Sequence, residues 1–68
     1  MNWTRAQAVG GLRVLLGRPG WNLTKIAAEI GASYFTIINW KDGRVKPSNA
    51  YMPRLSELLE KEGMKPQG

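Results

Sequence analysis

Apolar residues recur along this chain at helical spacing, in short runs separated by glycine- and proline-bearing breaks. No β alternation of useful length, no internal repeat and no low-complexity segment interrupts them. In the first run Val9, Leu12 and Leu16 share a face and Leu15 widens it. Thr4 followed by Gln7 has capping-box spacing, so a helix begins at Arg5, with Trp3 placed to pack as a hydrophobic staple. Gly10-Gly11 works against that helix, because each glycine costs about 1 kcal/mol relative to alanine in a helix interior. Either another backbone comes close there or the helix begins later. Gly17-Arg18-Pro19-Gly20 ends it.

Asn22 is a good N-cap for a second helix, Leu23 to Ile30, whose apolar residues Leu23, Ile26, Ala27 and Ile30 fall at i, i+3, i+4 and i+7. Gly31 fits a left-handed residue at its end and predicts a sharp reversal. Ser33 caps a third helix from Tyr34 to about Asp42, closed by Gly43. Arg44-Val45-Lys46-Pro47 reads as a basic loop, and Ser48 as the cap of a short turn through Tyr51. Pro53 suits the first turn of a last helix carrying Leu55, Leu58 and Leu59 on one face, stopped by Gly63. The expected architecture is all-α, a compact four- or five-helix bundle. One domain covers 1–63, and 64–68 forms a flexible tail.

Two short helices joined by a three-residue, glycine-containing turn form the helix-turn-helix pattern, here over 22–43. Its core positions have the required sizes. Ala27 is small where the helices cross, Ile26 and Ile30 fill the inner face, Ala32 plugs the turn, and Ile37 and Trp40 anchor the third helix. The plainer alternative is an ordinary helical hairpin in a bundle.

At 100° per residue, Ile37 and Trp40 set the buried side of the third helix, and Phe35 points away from it. Ile38 and Asn39 flank Phe35, while Tyr34, Thr36 and Lys41 lie at the borders. An ordinary surface helix would be charged there; neighbouring large apolar residues imply contact with a partner. In a DNA major groove Phe35 and Ile38 would meet thymine methyl groups, and Asn39 has the donor–acceptor pair for adenine N6 and N7. A competing reading makes Phe35 and Ile38 a dimer surface, or packs them under the 44–52 loop.

Charge supports a polyanionic partner. The 68 residues carry a net +5. Residues 1–54 hold eight basic side chains against two acidic ones, while 55–68 hold two against three. A solvated basic surface would give the same total. Phosphate contacts are expected from Asn22, Lys25, Ser33, Thr36, Lys41, Arg44 and Lys46. Tyr34, Phe35, Ile38 and Asn39 are the expected base-contacting residues. Cysteine and histidine are absent, and no paired inward carboxylates are evident, so no enzyme, metal or cofactor is expected. No apolar run approaches the roughly 18 residues of a membrane span, and no secretory signal opens the chain. A cytoplasmic location, on the nucleoid when DNA-bound, is expected.

From 12 to 59 the chain resembles the Cro/C1-type, lambda-repressor-like helix-turn-helix family. The resemblance rests on Leu12-Arg13, Ile26-Ala27, Ile30-Gly31, Ser33, Thr36-Ile37, Trp40, Gly43 and Lys46-Pro47-Ser48. It implies four or five helices, operator DNA in the major groove, and a two-fold dimer. It also implies base reading by residues opening the third helix and phosphate gripping by the following loop. Three departures stand out. Leu23 replaces a frequent phosphate-binding glutamine. Leu16 and Lys41 occupy the positions of a frequent ion pair, which leaves Lys41 free to face phosphate. The 48–52 stretch is longer than in common members.

The resulting expectation is a sequence-specific transcriptional regulator, a small phage or mobile-element repressor controlling its own operon. It would bind a palindromic operator as a homodimer, with Leu55, Leu59 and Met64 as the dimer seam, although such a leucine stripe is more often core. No small-molecule ligand is expected. The alternatives are an antitoxin, which needs a toxin-wrapping extension beyond the five residues after Gly63, and a phage excisionase or architectural factor that bends DNA.

Overall fold

A computed structural model of the chain describes residues 2–66. Four helices follow one another: α1 (Arg5–Leu16), α2 (Leu23–Ile30), α3 (Tyr34–Lys41) and α4 (Met52–Lys61). α1 packs on α3 and α4, and α2 packs on the same two helices. No strand occurs among the described residues.

The expected starts are where the capping residues placed them. The Thr4 hydroxyl accepts from the Gln7 N–H, and the Gln7 side chain accepts from the Thr4 N–H, a complete capping box. Asn22 and Ser33 cap α2 and α3 through Lys25 N–H and Thr36 N–H. α1 runs unbroken through Gly10-Gly11. At Gly11 the close approach is a side chain, since a Cβ there would lie 2.8 Å from Leu59 Cδ1. At Gly10 a Cβ would meet nothing within 4 Å.

The core is formed by Ala8, Leu12 and Leu15 of α1, Ile26, Ala27 and Ile30 of α2, Ile37 and Trp40 of α3, and Leu55, Leu58 and Leu59 of α4. The α1 stripe is therefore centred on Ala8 rather than Val9. Val9 and Leu16 are only half-buried at its edge, because α1 must face α3 and α4 together. Between α3 and α4 there is no fifth helix. Ser48 closes a turn through its carbonyl, which accepts from Tyr51 and Met52 N–H. Pro47 is fully buried, and the Tyr51 ring meets Trp40 edge-on at 5.5 Å.

The helix ends are tied to neighbouring helices by arginines. Arg54 donates to the Ile30 carbonyl at the end of α2 (3.3 Å). Arg13 donates through Nε and Nη2 to the Lys41 carbonyl at the end of α3 (3.1 and 2.8 Å). Arg18 donates to the Glu62 carbonyl beyond α4 (2.6 Å). Arg5 holds the 44–51 loop through the Pro47 carbonyl (2.8 Å) and the Asn49 side chain. Cations at helix C-termini satisfy orphan carbonyls and oppose the negative end of the helix dipole.

Gly31 has φ +73° and ψ +29°, and the Ala32 N–H reaches back to the Ala27 carbonyl at 3.0 Å. This is the left-handed helix ending expected there. A Cβ on Gly31 would also lie 2.8 Å from Arg54 Nη1. α4 ends in the same kind of turn, with Met64 N–H on the Leu59 carbonyl at 2.9 Å and the Met64 side chain against the core. Met64 therefore belongs to the packed body rather than to a flexible tail; residues 67–68 of that expected tail lie outside the described residues.

Glycine substitutions separate these roles. Gly31→Ala should lower stability by about 1–2 kcal/mol from the left-handed conformation alone, and by more if Arg54 is displaced. Gly10→Ala should raise it by about 1 kcal/mol. In thermal unfolding the two should move the midpoint in opposite directions, by about 4–8 °C per kcal/mol. Equal shifts would contradict this account.

Candidate nucleic-acid interface

The sequence of α3 places its apolar anchors, Ile37 and Trp40, in the core, and both are buried. The remaining side of the helix faces out. Phe35 is 74% exposed and Tyr34 45%. The two rings meet edge-to-face, 5.8 Å between centroids and 81° between planes. Ile38, Asn39 and Thr36 are half-buried along the same helix. Phe35, so exposed, does not pack under the 44–52 loop. The Asn39 side-chain amide makes no hydrogen bond within the protein among the described residues, and its donor and acceptor are both available.

The start of α3 is locally organised. Ser33 Oγ accepts from Thr36 N–H at 3.1 Å and lies 2.8 Å from Thr36 Oγ1. One hydroxyl hydrogen serves that contact, and the other remains for an acceptor outside the protein. The end of α3 is fixed more firmly. Its Asn39 carbonyl accepts from Arg44 N–H (3.0 Å) and Val45 N–H (3.3 Å), and Arg13 holds the Lys41 carbonyl. The loop therefore leaves α3 in a set direction, and Val45 stands 53% exposed on it.

The expected phosphate-contacting residues divide by what they already touch. Asn22 is exposed, and its Oδ1 is spent on the N-cap bond to Lys25 N–H (2.8 Å). Lys25 Nζ lies 4.4 Å from the Trp21 ring centroid and 3.4 Å from the Gly20 carbonyl. Lys41 is not free, contrary to expectation. Its ammonium pairs with Asp42 at 3.3 Å, because the chain ends α3 with adjacent opposite charges. Both groups are more than a third exposed, so the pair is exchangeable, worth about 0–1 kcal/mol. Arg44 is 70% exposed, 4.0 Å from the other Asp42 oxygen. Lys46 is exposed and makes no ion pair among the described residues.

The expected dimer seam needs correction. Leu55 and Leu59 are 0% exposed and complete the protein's own core, where α4 closes over α1 and α2, so they offer no surface to a second copy. Met64 is half-buried and instead lines an apolar groove with Trp3, Gly10 and Val14.

The sequence alone assigned Arg13 and Val45 no role of their own at this face. Arg13 carries no local sign of its role, since its partner lies 28 positions away. Val45 could have been found as the apolar residue inside a basic loop. The arrangement offers a firm aromatic and aliphatic surface, one bidentate amide, and cations on the flanking segments. The chain matches no protein-family model, no curated protein and no solved structure.

Proposed function

We propose that the chain is a sequence-specific binder of double-stranded DNA, acting as a transcriptional regulator, with α2 and α3 used as a helix-turn-helix and the outward side of α3 in the major groove. The observation that carries this is the Phe35–Asn39 side of α3. It combines a largely exposed phenyl ring with an amide that has no hydrogen-bond partner among the described residues, on a chain with net charge +5. Water is a poor partner for Phe35. The major groove offers thymine methyl groups to Phe35 and Ile38, and adenine N6 and N7 to Asn39. Tyr34, at the start of the helix, borders the same bases. Arg44 and Lys46 on the following loop, Lys25 on α2, and the Ser33–Thr36 hydroxyl pair act on phosphate.

The finer reading is a small phage or mobile-element repressor, autoregulatory, binding a palindromic operator as a homodimer. It rests on the family resemblance and on the rule that two-fold proteins read two-fold sites. Its seam does not include Leu55 or Leu59. The exposed Tyr34–Phe35 ring pair also favours a second reading, in which this face meets a protein surface.

Selection of bound sites from a random duplex pool tests the proposal. An enriched motif with A·T pairs supports it; absence of any sequence preference at moderate salt rejects it. Asn39→Ala should relax specificity at one adenine, costing about 1–3 kcal/mol. Lys46→Ala should weaken all sequences about equally and lower the salt slope by about one unit, measured by anisotropy titrations at several salt concentrations. If Lys46→Ala changed the selected motif instead, its assignment to phosphate would be wrong.

A further inference from the structure

We infer that the outward side of α3 responds to methyl groups on DNA bases with opposite signs. A pyrimidine C5-methyl beneath Phe35 or Ile38 strengthens binding, and an N6-methyl on the adenine facing Asn39 abolishes the preference for that base. The inference rests on the DNA-binding reading above and specifies what that face recognises.

The first support is an absence of guanidinium or ammonium groups on the face itself. Guanine is read in the major groove mainly by bidentate arginine or lysine. Four of the five arginines, Arg5, Arg13, Arg18 and Arg54, donate to carbonyls of this protein. The fifth, Arg44, sits on the loop rather than on α3, and Lys41 lies at the border of the face in an exchangeable pair with Asp42. Discrimination is left to apolar contact and one amide.

The apolar part favours methyl groups. Phe35 is 74% exposed, yet its ring is braced edge-on by Tyr34, and Ile38 is half-buried beside it. Such a surface gains when a C5-methyl leaves water. Burying one methyl is worth about a fourfold change in affinity when complete, so about two- to fourfold is expected for a partly buried one.

The amide part rejects one. Bidentate binding by Asn39 needs adenine N7 and the N6 hydrogen on the N7 side. In a pair with thymine, N6-methyladenine keeps its single N6 hydrogen on thymine O4. Its methyl then points to the N7 side, where the Asn39 carbonyl oxygen would accept. A donor is replaced by a bulky apolar group. Retreat is restricted, because the Asn39 backbone is held by Arg44 and Val45 N–H and the next turn by Arg13. Losing this bidentate contact corresponds to about a 5- to 150-fold weakening.

The test uses the duplex selected by the wild-type chain. Affinity is measured by anisotropy for three forms: unmodified, with uracil replacing thymine at successive positions, and with N6-methyladenine at the adenine whose preference Asn39→Ala relaxes. The wild type should lose about two- to fourfold on uracil at one or two positions, and 5- to 150-fold on N6-methyladenine. Phe35→Ala, an exposed site away from the core, should no longer distinguish thymine from uracil at the position beneath Phe35, while a position beneath Ile38 keeps its response. Asn39→Ala should no longer distinguish adenine from its N6-methyl form. A wild type that selects a motif yet ignores both modifications overturns this inference and leaves the DNA-binding reading standing. So does a response in one arm only, or a motif with no adenine that Asn39→Ala relaxes. A chain that selects no motif overturns the DNA-binding reading itself.

Discussion

The left-handed residue at Gly31 determines what α3 can present. α2 delivers the chain to its end with Ile26, Ala27 and Ile30 in the core, and the next helix must put Ile37 and Trp40 into the same core. With only three residues between the helices, the reversal happens at one backbone position, where φ is +73°. Arg54 crowds the space a Cβ would occupy there and takes the Ile30 carbonyl, so conformation and packing make the same demand. Once α3 is anchored at Ile37 and Trp40, helical geometry leaves Phe35 nowhere to go but outward.

Arginine is used here chiefly as a helix tie. Arg54 and Arg13 each reach from one helix to the carbonyl end of another, Arg18 reaches from the segment after α1 to the carbonyl beyond α4, and Arg5 fastens the loop after α3. A chain of 68 residues has a small core. These bonds define helix ends that the core does not reach, at positions where the helix dipole favours a cation. They also change the meaning of the basic composition. The charges still contribute to a long-range positive field, but four guanidinium groups already have carbonyl partners. Arg44, Lys25 and Lys46 are left as the cations for an outside anion.

That division gives the proposed interface its character. Its centre is apolar and amidic, Phe35, Ile38 and Asn39, and its cations lie on flanking segments, with Lys25 on α2 and Arg44 and Lys46 on the loop. Contacts that could distinguish bases are thereby separated from contacts that could hold phosphate. The separation is enforced by backbone: the Asn39 carbonyl takes both Arg44 and Val45 N–H, so the basic loop starts at the turn of α3 that carries the amide.

Much of this was legible in the sequence because it is local. Capping residues, glycine stops and 3.6-residue periodicity act within a few positions, so the starts at Arg5, Leu23 and Tyr34 and the burial of Ile37 and Trp40 could be read directly. The outward direction of Phe35 followed from angle alone. What the sequence could not decide depends on partners far along the chain. A Cβ at Gly11 would run into Leu59, 48 positions away. Leu55 and Leu59 are core rather than surface because α4 folds back over α1 and α2. Lys41 is the exception, because its partner Asp42 is the next residue and the pair depends on side-chain geometry rather than on distance along the chain. Local preferences fix which segments become helices and which side each one buries; only the packed arrangement of all four decides which arginine meets which carbonyl, and so which charges remain for anything outside.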